Sequence, residues 1–193
     1  MQAAEAAPER RLIEQTLAGD NSAFGQLIER HQRAVFNIAY RLLGDREEAK
    51  DVAQEAFWRA YRGLAGFNLS HPLAPWLYSI VTNLSLNRLR RNRPPMVSLD
   101  ASPPGHLEST PLEVADPGAG PPDRLLQAET QAQIRQAILT LAPADRAVIA
   151  LRHFQGLSYK EIAAALDTSL SSVKSRLFRA RRELRTQLAD LME

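Results

Sequence analysis

Short hydroxyls and long cations crowd into one segment near the end of the chain, SLSSVKSRLFRARR at 169–182. At the helical angle of about 100° per residue, Ser172, Ser175, Arg179 and Arg182 share one face, with Ser171, Lys174, Arg176 and Phe178 beside it. The chemistry such a set can do is recognition of duplex DNA. Arginine bonds a guanine edge through two parallel N–H groups, serine bonds several base groups, and neighbouring cations neutralise phosphates. Leu170, Val173, Leu177, Ala180 and Leu184 fall on the other face and are expected to pack inward. A solvated basic helix would show the same composition, but the residues just before it favour the DNA reading. Ser158 and Glu161 have the spacing of a capping box that opens a short helix. Ala163, Ala164 and Ala165 let a second helix cross closely, Asp167 and Thr168 make a turn, and Ser169 is a good N-cap. This is helix-turn-helix grammar. Alone, it does not fix which kind of DNA-binding protein carries it.

A second set lies in the first half of the chain. The loop Gly63–Pro75, GLAGFNLSHPLAP, mixes turn formers with Phe67, Asn68, Ser70 and His71. Trp76 follows, then Ser79, Asn83, Asn87 and Arg90 on one polar side, and a basic cluster of Arg88, Arg90, Arg91 and Arg93. Aromatics, amides and arginines around one loop suit single-stranded DNA, whose unpaired bases stack or enter a pocket while arginines hold the backbone. An ordinary core position competes with base contact for Trp76, and an ordinary exposed loop position competes for His71. A third set, Asp51, Gln54, Glu55, Trp58 and Arg62, forms a stripe on the preceding segment. Trp58 on that polar stripe either packs against a neighbouring helix or anchors a protein partner, since tryptophan and arginine are enriched at binding hot spots.

Catalysis finds little support. The histidines, His31, His71, His106 and His153, are scattered, and none pairs with a carboxylate at HExxH spacing. No glycine-rich phosphate loop or nucleophile elbow appears. His31 lies near the core stripe of its segment and is expected to be packed; His106 is expected to be solvated. The chain has no cysteine, hence no disulfide framework and no thiolate zinc site. We therefore expect no enzyme, no metal and no cofactor.

These sets need scaffolds to hold them. The net charge of +2 hides an uneven distribution. Residues 12–93 carry 11 Lys/Arg against 8 Asp/Glu, residues 94–123 carry none against 5, and residues 124–193 carry 11 against 7. Eight of the twelve prolines lie between Pro94 and Pro122. That acidic, proline-rich stretch reads as a flexible linker, because a structureless loop of that length is unusual inside one compact domain. Everything else reads as helix. Leu27, Ile28, Val35, Ile38, Ala39, Leu42 and Leu43 recur at three- and four-residue steps until Gly44 ends the pattern. Asp45–Glu48 resembles a capping box for a second helix that buries Ala49, Val52, Ala53, Ala56, Phe57, Ala60 and Leu64. A third, from near Pro75 to about Arg93, presents Leu77, Ile80, Val81 and Leu84. After the linker come a helix around Leu125–Leu141, one opened by Pro143, and the helix-turn-helix pair. The expected fold is all-α: two small helical domains, 1–93 and 124–193, joined by the flexible linker 94–123, the second a helix-turn-helix domain. No apolar run approaches the roughly 20 residues a membrane helix needs, and Met1–Arg11 has no signal-peptide core. A cytoplasmic protein without membrane insertion is expected.

Together these residues resemble extracytoplasmic-function (ECF) RNA polymerase sigma factors of the sigma-70 superfamily. The resemblance rests on AFGQLIERHQRAVFNIAYRLLGDREEAKDVAQEAFWRAY and PWLYSIVTNLSLNRLRR in the first half. In the second half it rests on LAPADRAVIALRHFQGLSYKEIAAALDTSLSSVKSRLFRARREL. It implies that the stripe Asp51, Gln54, Glu55, Trp58 and Arg62 docks on the clamp of core RNA polymerase. The Phe67–Arg91 set would melt and read the promoter −10 element as single-stranded DNA with one base flipped out. The Ser171–Arg182 set would read the −35 element as duplex, with the second domain also touching the polymerase flap. It further implies that the linker threads the polymerase and that an anti-sigma factor holds the protein inactive. The competing reading is a conventional helix-turn-helix regulator that binds duplex DNA without polymerase; it would leave the Trp58 stripe and the aromatic loop without purpose. An adaptor that binds polymerase without reading promoters would leave the arginine-rich helix without purpose.

Overall fold

The computed structural model describes residues 2–92 and 121–189, and all regular structure among them is helical. The expected linker lies outside the described residues except for Pro121–Asp123, which open α5. The first half holds α1 (Gln2–Leu17), α2 (Asn21–Leu43), α3 (Arg46–Gly63) and α4 (Leu73–Arg91). The second holds α5 (Pro121–Thr140), α6 (Pro143–Ile149), α7 (Tyr159–Ala165) and α8 (Leu170–Gln187), with a π-helical turn at Ala150–Phe154 extending α6.

Local chemistry sets the helix ends. Asp20 caps α2 by accepting from the Ser22 backbone N–H at 2.9 Å. At its other end Gly44 takes the left-handed conformation, φ 79°, and donates its N–H to the Tyr40 carbonyl at 2.9 Å. Glycine adopts this conformation without steric cost. A second constraint acts at the same place: a β-carbon on Gly44 would stand 3.0 Å from the Leu139 side chain of α5. Asp45 caps α3 through the Glu48 N–H at 2.8 Å. The expected box there is half made, because the Glu48 carboxylate turns instead to Asn92 Nδ2 at 3.0 Å and Arg88 Nε at 3.5 Å. α4 starts at Leu73, ahead of the expected Pro75, since proline is tolerated in a first turn.

α1 has no counterpart among the helices read from the sequence. It lays Leu12 and Ile13 against Ala23, Leu27, Leu64 and Leu73. His31, buried as expected, meets the Glu9 carboxylate of α1 at 2.8 Å.

The two halves do not stand apart. Val35, Leu42, Leu77 and Val81 of the first half and Leu141, Val148, Leu151, Ile162 and Leu177 of the second belong to one continuous buried cluster. Polar contacts stitch the same seam. Arg146 of α6 is buried and donates to the Leu42 carbonyl at the end of α2 as well as to the carbonyls of Leu139 and Leu141. Burial holds its pKa below the ordinary arginine value. The Arg41 guanidinium lies 3.8 Å from the Phe154 ring centroid, and Asn83 Nδ2 donates to the Ala165 carbonyl at 3.4 Å.

Candidate nucleic-acid and polymerase interfaces

The helix-turn-helix forms as its caps dictate. The Glu161 N–H donates to Ser158 Oγ at 3.3 Å, and the Ser158 N–H donates to Glu161 Oε2 at 2.7 Å, completing the capping box of α7. Asp167, at φ 46°, reverses the chain. Aspartate is among the few non-glycine residues that accept this region. Ser169 caps α8 by accepting from the Ser172 N–H at 3.1 Å. Val173, Leu177 and Ala180 then bury against α6 and α7.

The opposite side of α8 stays open. Ser171, Lys174, Ser175, Phe178, Arg179 and Arg182 are exposed, and Ser172 and Arg176 are half-buried. Phe178 is 68% exposed, so no packing among the described residues explains it. Leu170, expected inward, is instead 39% exposed; it is the first residue of α8, ahead of the turn that meets the core. Arg179 is tied down. Its Nε donates to Asp145 Oδ2 at 3.1 Å and its Nη2 to Oδ1 at 2.9 Å. The hydrogen bonds to Asp145, and then its charge, raise the Arg179 pKa above its ordinary value.

In the first half, Asp51, Gln54, Glu55 and Trp58 line one shallow open depression on α3. Trp58 is 56% exposed, which decides against packing on a neighbouring helix, and Arg62 stacks over it at 4.6 Å. The loop and α4 are more occupied with their own packing. Phe67 and Trp76 are half-buried against each other, ring centroids 4.9 Å apart, and the Gly63 position lies against the Trp76 ring. Asn68 Oδ1 accepts from the Ser70 N–H and hydroxyl at 3.0 and 2.8 Å, fixing the loop tip, where Asn68, Ser70 and His71 are exposed. Ser79 donates back to the Trp76 carbonyl at 2.6 Å. Arg88 reaches Glu48 and, at 3.7 Å, Asp51, joining the basic end of α4 to the acidic edge of the Trp58 stripe. Asn87 bonds Arg90, and Arg90 and Arg91 are exposed. Arg93 and His106 lie outside the described residues. Among the described residues no three His, Asp or Glu side chains could share a metal ion.

Residues 27–94 match the family model for Sigma-70 region 2, and residues 131–184 match that for Sigma-70, region 4. The ECF RNA polymerase sigma factor SigW of Bacillus subtilis is 38% identical over 184 residues, covering 94% of this chain and 97% of SigW. The chain belongs to the ECF sigma factors. The RNA polymerase sigma-H factor of Pseudomonas aeruginosa, 35% identical over 187 residues, covers 95% of each chain. A solved structure, CnrH in complex with the cytosolic domain of CnrY, superposes with a TM-score of 0.65 at 27% identity, covering 95% of this chain and 98% of that one.

As a sigma factor the chain serves promoter-directed transcription by RNA polymerase, and a regulator working on duplex DNA without polymerase is not favoured. Members of this family are in general non-enzymatic DNA-binding initiation factors. No helix among the described residues is long and apolar enough to cross a membrane. The sigma factor's two family regions correspond to the two helical halves, α2–α4 and α5–α8. Sequence reasoning missed Asp145 and Arg146. The sequence signal for Asp145 was an acid in the first turn after Pro143, which looks like ordinary helix-end chemistry until Arg179 is seen to meet it.

Proposed function

We propose that residues 1–93 carry polymerase docking and −10 recognition, residues 124–193 carry −35 recognition, and residues 94–123 link them. The exposed Trp58 depression is the observation that carries the docking assignment. Trp58 is half-exposed and, among the described residues, Arg62 is the side chain stacked on it; tryptophan and arginine of this kind anchor protein interfaces. Asp51, Gln54, Glu55 and Arg62 complete the surface offered to the polymerase clamp. On the second half the open face of α8, Ser171 to Arg182, enters the major groove of the −35 duplex, and the same domain contacts the flap. The loop residues Phe67, Asn68, Ser70 and His71, with Trp76, Ser79, Asn83 and Asn87, take up the unpaired −10 strand, while Arg88, Arg90 and Arg91 hold its backbone.

Asn83 ties this surface to α7 in the closed arrangement. Polymerase binding therefore draws the halves apart and sets them at promoter spacing. Binding energy from captured bases offsets part of the cost of opening the duplex. RNA synthesis itself belongs to polymerase, and the protein acts beside it in the cytoplasm without a cofactor. An anti-sigma factor is the expected inhibitory partner; CnrH was solved bound to another protein chain, the cytosolic domain of CnrY.

Run-off transcription with core polymerase over a promoter library tests the reading. Specific transcripts should require the protein. Trp58→Ala should weaken polymerase binding by about 2 kcal/mol with DNA preference unchanged, and Arg179→Ala should do the reverse. Tight duplex binding by the protein alone, with no transcripts, would overturn it.

A further inference from the structure

Asp145 sits in α6, off the DNA-facing helix, with a side chain only 7% exposed. Both carboxylate oxygens accept from the same edge of Arg179, Nε and Nη2, at 3.1 and 2.9 Å. The arginine itself remains 56% exposed on the open face of α8. A guanidinium has five N–H groups in one plane. With Nε and one Nη2 hydrogen committed to Asp145, the remaining edge, Nη1 and the second Nη2 hydrogen, is left for a partner outside the protein. Among the described residues no buried carboxylate holds Lys174 or Arg182, the other cations of that face, in this way. A long exposed side chain ordinarily loses rotamer freedom when it binds; one already held loses less. The fork geometry of arginine also matches a guanine edge only in one plane.

We propose that Asp145 is a positioning residue for promoter reading: from α6 it fixes the guanidinium plane of Arg179 so that the free edge meets guanine O6 and N7 in the −35 major groove. The inference rests on α8 being the −35 reader. It makes specificity at one base pair a property of two helices rather than one.

The test uses the full chain with core polymerase on run-off fragments whose −35 window is randomised, and reads base preference position by position. Arg179→Ala should flatten a guanine preference at one position by about tenfold or more. Asp145→Ala should flatten the same position by about three- to tenfold, with the double variant no flatter than Arg179→Ala alone. Asp145→Asn, which keeps one acceptor of similar shape, should fall between. Preference ratios do not depend on the fraction folded, so Val148→Ala, a purely apolar change in α6, should lower yield on all fragments alike. If Arg179→Ala flattens a position that Asp145→Ala and Asp145→Asn leave intact, the pair is only a staple between α6 and α8, and the inference is overturned while the α8 reading stands. If Arg179→Ala flattens no position, that assignment of Arg179 fails and takes the inference with it.

Discussion

The α8 face and the loop–α4 surface carry similar residue types but use them differently. On α8 the core-facing and outward-facing sets are separate: Val173 and Leu177 bury, Phe178 and Lys174 stay exposed, and Arg179 is exposed but held by Asp145. Along the loop and α4 the side chains proposed for recognition also serve packing. Phe67 and Trp76 pack on each other, Ser79 bonds its own helix, Arg88 pairs with α3, and Asn83 touches α7. A duplex reader needs only a regular helix presented to a groove of matching width. A surface that grips a flexible single strand works best when rigid before the strand arrives, and the packing of Phe67 on Trp76 would give the proposed −10 surface that rigidity.

The sharpest way to break this contrast is to truncate one aromatic on each side. Trp76→Ala removes a ring shared by both buried clusters and should destabilise the protein by about 2 kcal/mol or more, read as a lower midpoint in chemical denaturation. Phe178→Ala, on the open face, should leave stability within about 0.5 kcal/mol and cost −35 binding instead. Equal losses of stability from the two variants would erase the distinction. A smaller effect belongs to the exposed basic end of α4. Arg91→Ala should lower the slope of log affinity against log salt for single-stranded −10 DNA by about 0.7, with the duplex −35 slope unchanged.

The smallest effect is a titration. Burial first, then Arg181 and Arg152, hold the His153 pKa below its ordinary value of 6.5. Arg181 Nε also donates to His153 Nε2 at 3.4 Å, which requires the neutral ring. The unfolded chain thus binds this proton more readily than the folded one. The contribution is present above pH 6.5 and is lost as the pH falls through the lowered folded value. Thermal melts from pH 7.5 to pH 5 should show this loss, and His153→Ala should remove that part of the slope.

The sequence made α8 legible because its signals are local. Ser158, Glu161, Asp167 and Ser169 each act within a few residues, and the apolar period does the rest. Only Leu170 escaped, at the helix end, where periodicity says least about depth. The Trp58 stripe was equally visible, but its exposure was not, because that depends on which helices stay away. α1 passed unread although Leu12, Ile13 and Thr16 recur at helical spacing ahead of the Asp20 cap. The seam between the halves was illegible in principle. Arg146 meets Leu42 across 104 positions of chain, and Asp145 meets Arg179 across 34, and neither partner marks the other in sequence.

Gly44 closes α2 with a backbone that disfavours any side chain, and it does so where the Leu139 methyls press closest. One missing β-carbon therefore sets two things at once, the reversal of the chain and the fit of one half on the other. An alanine there would act as a wedge. It would strain the left-handed turn and push the Leu139 side chain back by a few tenths of an ångström, visible as a lower melting temperature. A single hydrogen atom in place of a methyl group thus serves both the turn and the seam.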